Sequence, residues 1–465
     1  MAAELTQAET AQYYSYFQSV KKDIVKPERV HHHPSRIYPS NLDILQPNPA
    51  RYVPILFAYR LADTSDTFYN QFVLGLKQSL AKVLVLFYPA AGGLAGTSDL
   101  HHPLVFVCDD RGVPFIEAYK DEQMDEIVKD HEPEIPLSGL QAVGLFSNKD
   151  SREIPESGIP CVVVQITRFK CGGVSIAVTW NHTLADMAGG MLLIKAWADV
   201  ACKGETTVAP HIDRTVLSPT RANEIQLAAS LSSVGNMWRA VGSLSNPGMV
   251  RMKVLHISRD KIGMVKQSAL EDGYVVSTLD CISAHLWRCV TKHGATSTGT
   301  DVRSLMTTVE GRARMSETLT SNYFGNVLSL ASVRKIPRTE ILSRPLAYTA
   351  SLIRKAIQEI TEETYWEMIN EIEKVLNNWS SNDDYLTINL LISSWTRFGM
   401  YDVDFGSGIP LRFQPNYLPE VIRHGQCLIV PSNPSAGGFD VLMYFHSGSG
   451  LHERLWADPE FISLS

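Results

Sequence analysis

Two β-branched apolar runs, Val162 to Phe169 and Val174 to Trp180, flank Cys171-Gly172-Gly173. Asn181 and His182 follow at once, and an apolar pattern at helical spacing then continues to Cys202. No other stretch restricts the fold as strongly. β-Branched residues favour strands and paired glycines favour a tight turn, so the first part reads as an antiparallel hairpin. Val174, Ile176 and Val178 share one face, because side chains alternate along a strand. Leu184 to Cys202 reads as an amphipathic helix, which places His182 at a strand-to-helix turn.

The rest of the chain mixes both periodicities. Strand-like material lies near Val25 to Val30. Leu76, Leu80, Val83 and Leu84 mark a helix over Leu74 to Leu86 that stops before Pro89. Leu104 to Val107 and Val113 to Glu117 read as strands joined at Asp109-Asp110-Arg111-Gly112. Lys203 to Gly248 is rich in Ser, Thr, Pro and Gly and reads as a crossover. Beyond it come a strand, Val254 to Ile257, and a helix from Arg259 capped by Ser258. Ser277 or Thr278 caps a second helix, Leu279 to Lys292. A strand is expected at Leu305 to Val309, long helical periodicity over Ser343 to Leu376, and strands at Leu386 to Trp395, Gln426 to Val430 and Val441 to Phe445. The predicted fold class is α/β with two domains, 1–202 and 249–465, joined by the 203–248 linker.

Composition excludes several classes. With 465 residues and 45% apolar content, the chain can build sizeable cores, so disorder is not its dominant state. The net charge of −7 gives no concentrated basic face for nucleic acid. The richest apolar run, Val83 to Ala91, is too short to span a bilayer and contains Pro89. The amino-terminal residues have Glu4 and no apolar core, so no signal peptide is expected and a cytoplasmic location is. Seven scattered cysteines without a CxxC pair point to reduced thiols.

The chemical candidate is His182-Thr183-Leu184-Ala185-Asp186. An imidazole with an ordinary pKa near 6.5 can accept a proton at cytosolic pH. Asp186 falls in the first helical turn, where the helix dipole favours a carboxylate, and this suits a structural role better than a second base.

The chain resembles the BAHD acyl-CoA-dependent acyltransferases, and most closely their hydroxycinnamoyltransferase branch. His182 to Asp186 matches HxxxD, and Val309-Glu310-Gly311-Arg312-Ala313-Arg314 matches VDGRxR. Tyr323-Phe324-Gly325-Asn326-Val327 matches the YFGN segment, and Asp404-Phe405-Gly406-Ser407-Gly408 matches DFGWG. Phe87 to Gly92, Ala284 to Cys289, Phe169 to Ser175 and Ile212 to Thr215 add weaker matches. The resemblance implies two chloramphenicol-acetyltransferase-like domains, each a mixed sheet with flanking helices, with a solvent channel between them. It implies that His182 is a general base for acyl transfer from a coenzyme A thioester to a small alcohol or amine, with no acyl-enzyme. The acyl group would be hydroxycinnamoyl or another aromatic acid.

By the same resemblance, Ser393 and Trp395 of Leu391-Ile392-Ser393-Ser394-Trp395 would be oxyanion donors or acceptor-positioning groups. Asp186 would pair with Arg312, and Asp404, Phe405 and Gly406 would be structural. Ser277 and Thr278 would contact coenzyme A. Ser407 stands where the family has tryptophan and Glu310 where it has aspartate. Shikimate-using relatives carry an arginine ahead of the Ser393 strand; Asn377 to Asp384 offers none, which leaves room for a neutral alcohol or a polyamine. A monomer without a resident cofactor or metal is expected. His31-His32-His33 and His101-His102 read as polar loops, since adjacent histidines do not converge readily on one ion. Two other readings stay open: a carrier-protein-dependent condensation-type acyltransferase, although Asn181 and Met187 depart from its doubled His and trailing Gly, and a non-catalytic acyl-CoA-binding protein.

Overall fold

Strand pairing divides the protein into two units that interleave along the chain. The computed structural model describes residues 15–29, 33–45, 51–99, 101–128, 154–219, 250–271, 273–294, 301–372, 388–416 and 424–463. The first unit comprises Met1–Gly235, Ser316–Val327 and Phe398–Val421; the second comprises Asn236–Met315, Leu328–Arg397 and Ile422–Ser465. Two segments after residue 249 therefore belong to the first unit, where the sequence boundaries had a contiguous second domain. Residues 220–248 of the expected crossover lie outside the described residues.

The strands of the amino-terminal half are β1 (Ser19–Val25), β2 (Arg36–Ile37), β3 (Tyr52–Tyr59), β4 (Gly93–Gly96), β5 (Leu104–Val107), β6 (Val113–Lys120), β7 (Ile159–Pro160), β8 (Val162–Phe169) and β9 (Val174–Asn181). The later ones are β10 (Val250–Ile257), β11 (Val302–Glu310), β12 (Leu328–Pro337), β13 (Ile388–Ser394), β14 (Arg412–Pro415), β15 (Gln426–Pro431) and β16 (Phe439–His446). The main sheet of the first unit runs β1-β6-β8-β9-β3-β14, with a smaller sheet β2-β5-β4-β7. The sheet of the second unit runs β10-β16-β15-β13-β11-β12.

The expected hairpin is β8–β9, paired from Val162↔Trp180 to Arg168↔Val174. Gly172 turns it at φ +78°, a left-handed conformation that a side chain would strain. The Asp66–Leu86 and Met187–Lys203 helices pack on each other, and Trp180 of β9 lies against Gly190 of the second. Ser65 caps the first helix by accepting from the Phe68 amide. Trp197 joins the two, its indole N–H donating to Leu76 O and Ser79 Oγ at 3.0 Å each.

In the second unit the Thr278–His293 helix, capped by Ser277, buries Cys281, Ile282, Leu286 and Trp287. These pack in one core with Leu305, Ile392, Ile429 and Val441 from the sheet.

Several expectations are corrected. The first strand ends at Val25 rather than beginning there, because Pro27 follows. The two strands around Asp109–Gly112 exist but do not pair: β5 joins the small sheet and β6 the large one. The helix after His182 starts at Met187, three residues late. The long periodicity after Ser343 is broken into Leu346–Gln358 and Glu362–Asn370. Val375, Leu376, Leu386 and Asn377 to Asp384 lie outside the described residues. Among the described residues no helix is long and apolar enough to cross a membrane.

Candidate active site

β9 ends at Asn181, and the turn after it is built by side chains that cannot continue the ladder. Asn181 Oδ1 accepts from the Thr183 amide at 2.9 Å, an Asx turn, and the Leu184 amide donates to Asn181 O. The His182 amide donates to Arg51 O at 2.8 Å. Trp180 pins the far side, its indole N–H donating to Ala185 O at 2.9 Å. Its ring needs Gly190 beneath it: a Cβ there would sit 2.2 Å from the indole.

This turn leaves the His182 ring half-buried, with Nδ1 3.2 Å from Asn326 Oδ1. The orientation of the Asn326 amide is fixed by its other end. Nδ2 donates to Asp43 Oδ1 at 2.9 Å, to His182 O at 2.9 Å and to Thr183 O at 3.2 Å, all of them acceptors. Oδ1 must therefore face the ring, and Nδ1 must carry the proton to donate to it. The remaining nitrogen, Nε2, keeps its lone pair and is the basic atom.

Asp43 anchors this arrangement. It is fully buried, accepts from the Asn326 amide at 2.9 Å, and pairs with Arg214 Nε at 3.0 Å. Arg214 also donates to Leu184 O at 2.8 Å and to Phe324 O, which ties the histidine turn to the asparagine segment. A buried carboxylate needs such a partner, since an isolated charge out of water is costly.

Asp186 acts on the same two segments. It is the N-cap of the Met187–Lys203 helix: Oδ1 accepts from Gly189 N and Oδ2 from Val327 N, each at 2.9 Å. Its own amide donates to Gly325 O. HxxxD and the Tyr323–Val327 segment are thus one structural piece, with Asp186 and Asn326 gripping it from opposite sides.

The environment corrects the expected basicity. Burial, and then the nearby Arg51 guanidinium, push the His182 pKa from 6.5 down to about 4, against smaller opposing effects of Asp186 and Asn326. The ring is therefore neutral throughout the physiological range.

The other expected site residues take these places. Asp404 Oδ1 accepts from the amides of Gly406, Ser407 and Gly408 at 2.7, 3.0 and 2.9 Å, which closes a loop. Gly406 sits at φ +92°. Phe405 is buried between Tyr59 and Trp197. All three belong to the first unit, within β14's segment, and their contacts are those of packing and loop closure. Arg312, in the second unit, pairs with Glu310 at 2.7 Å. Ser393 Oγ accepts from Trp395 Nε1 at 3.2 Å and from Thr308 Oγ1 at 3.1 Å. Ser277 Oγ accepts from the Asp280 amide, and the Ser277 amide donates to Asp280 Oδ2. Thr278 opens that helix. His33 stacks on Tyr88 and pairs with Asp110, while His31 and His32 lie outside the described residues.

Asn326, Asp43 and Arg214 were not singled out from the sequence. Asn326 and Arg214 lie inside matched segments that carried no assigned role. Asp43 showed only a Ser40-x-x-Asp43 capping pattern, which the fold uses.

Comparison with known proteins bears on the family and the fold. Residues 17–448 match the model of the Transferase family. A Narcissus pseudonarcissus hydroxycinnamoyltransferase is 29% identical over 423 residues, 87% of this chain and 91% of the relative. A Nicotiana tabacum shikimate O-hydroxycinnamoyltransferase is 30% identical over 427 residues, again 87% and 91%. Among solved structures, vinorine synthase gives a TM-score of 0.72 at 22% identity, over 96% of this chain and 98% of that one. F. graminearum TRI101, complexed with coenzyme A and T-2 mycotoxin, gives 0.70 at 18% identity, over 92% and 98%. The fold is theirs: two units of mixed sheet and flanking helices. The chain belongs to the Transferase family, the BAHD acyltransferases, and is an acyl-CoA-dependent O- or N-acyltransferase.

Proposed function

We propose that the protein transfers an aromatic acyl group, of the hydroxycinnamoyl kind, from coenzyme A to the hydroxyl or amine of a small metabolite, with His182 Nε2 as general base. The observation that carries this is the fixed Asn326 amide, which commits the proton to Nδ1 and leaves Nε2 free. The names of the relatives support the donor class.

Nε2 takes the acceptor's proton as the acceptor oxygen or nitrogen attacks the thioester carbonyl carbon. The tetrahedral oxyanion collapses, the C–S bond breaks, and the thiolate leaves and recovers the proton from Nε2. No acyl-enzyme forms. Ser393 and Trp395 keep the oxyanion-donor or acceptor-positioning roles that the family resemblance implies; within their own unit Ser393 Oγ accepts from Thr308 and Trp395. Asp186, Arg312, Asp404, Phe405 and Gly406 keep structural roles. Ser277 and Thr278 contribute hydroxyl protons to coenzyme A, the co-substrate. The enzyme works as a cytoplasmic monomer without a resident cofactor.

The test is thiol release from p-coumaroyl-, benzoyl-, malonyl- and acetyl-CoA against alcohols and amines, followed by kcat/KM against pH for the active pair. A base is lost when it is protonated, so activity falls as pH falls through its pKa. With the pKa near 4, kcat/KM should stay level from about pH 8 to about 5 and halve near pH 4. An acid limb at 6 to 7 would contradict the environment described for His182, and no thiol release from any donor would remove the reading.

A further inference from the structure

Among the described strands, β14 lies at the edge of its sheet and pairs with β3. Gln414 lies opposite Leu56, and the Asn416 amide donates to Pro54 O at 3.0 Å. Alternation places both side chains on one face of the sheet, the face that carries Thr179 and Asn181 across β3. The opposite face is apolar: Phe57 and Phe413 meet there at 5.5 Å, and Trp180 covers Gly190 of the helix.

Gln414 is 0% exposed and Asn416 1%. Neither Nε2 nor Oε1 of Gln414, and neither Nδ2 nor Oδ1 of Asn416, has a hydrogen-bond partner. Two other polar side chains of this region are used, since Gln165 donates to Thr167 and Asn181 accepts from Thr183, while the Ser175 and Thr183 hydroxyls are, like the carboxamides, without a partner. Four orphaned atoms on two neighbouring carboxamides are costly to the fold, and leucine would fill the same space without that cost. Their retention needs another cause.

Their position supplies one. Strand and residue spacings put Asn416 about 12 Å and Gln414 about 17 Å from Asn181, the residue before His182. That span is comparable with an extended aromatic acyl group or a small acceptor. A carboxamide is uncharged and offers both a donor and an acceptor, which a hydroxyl matches with a single group. A carboxylate or an ammonium ion would need a countercharge there. Half-buried Arg412 ends the row on the side away from Asn181.

We propose that Gln414 and Asn416 form a specificity subsite that reads a neutral hydroxyl on the substrate, remote from the reacting carbonyl. The inference rests on the acyl-transfer reading above. The hydroxyl could sit on the acyl group or on the acceptor, and two experimental arms separate these. In the donor arm, p-coumaroyl-CoA is compared with cinnamoyl-CoA at one acceptor. In the acceptor arm, tyramine is compared with phenethylamine, and tyrosol with 2-phenylethanol, at one donor.

The wild-type chain should prefer the hydroxylated member in one arm by about 10- to 100-fold in kcat/KM. In the Gln414→Leu/Asn416→Leu double variant that ratio should fall to within about threefold, and the variant should unfold at the same or a higher temperature. No wild-type preference in either arm, or an unchanged ratio in the double variant, overturns the subsite. So does a variant that loses stability while keeping the ratio. Failure of the acyl-transfer reading is seen separately, as absence of thiol release from every donor. In that event calorimetric binding of p-coumaryl against cinnamyl alcohol decides: a hydroxyl preference that the double variant loses supports the subsite, and one that it keeps, or none at all, overturns it.

Discussion

His182→Ala should lower kcat by about 10²- to 10⁴-fold, the range that a positioned general base contributes. The fold should survive. The ring lies half-buried at a turn held by other groups, namely the Asn181 carboxamide, the Trp180 indole and the Arg51 carbonyl. Its only described side-chain hydrogen bond is the one to Asn326. Truncation therefore removes one net hydrogen bond, about 1 kcal/mol, from the folded state. Thiol release at saturating acyl-CoA, read beside far-ultraviolet circular dichroism, separates the two effects. A fully active variant, or one that is inactive only because it unfolds, would end the general-base role.

Asn326→Ala should cost about 10²-fold in kcat, although Asn326 touches no reacting atom. With the amide gone, Nδ1 no longer has its acceptor, and the ring can turn or shift its proton to Nε2, where it cannot act as a base. The same change strips Asp43 Oδ1 and two backbone carbonyls of a donor, so stability should fall by about 1–3 kcal/mol in a denaturant titration. The stability loss alone would not identify a positioning role; the double variant does. If Asn326 acts only through the imidazole, His182→Ala/Asn326→Ala should turn over no more slowly than His182→Ala. Additive losses in kcat would show that Asn326 contributes independently of His182.

The contrast between these two residues shows what a sequence can carry. His182 is legible because its setting is local: a two-residue period, a glycine turn, a second two-residue period and then a helical one. The start of that helix was misplaced because Asp186 turns its carboxylate back onto the Gly189 amide, so the three residues before it stay in the turn. Asn326, Asp43 and Arg214 form no local pattern. They come from three distant parts of the chain, and only the packing of the first unit brings them together.

The same holds for the sheet. β3 is buried along its whole length, so it shows no alternation to read, and it carries Pro54. β14 has four residues and pairs with a strand more than 350 positions earlier. Nothing in the Asp109–Gly112 turn tells that its two flanking strands enter different sheets. The basicity of His182 was misjudged for a related reason: an imidazole's pKa follows from what surrounds it, and neither its burial nor the guanidinium of Arg51 is visible in HxxxD.

The most direct test of the central claim is the protonation of the two His182 ring nitrogens. In nitrogen-15 histidine-labelled protein, His182 can be assigned by difference against His182→Gln. The expected result is a protonated Nδ1 and a bare Nε2 from about pH 8 down to about pH 5, consistent with a pKa near 4. A proton on Nε2, or an imidazolium already formed at pH 6, would contradict it.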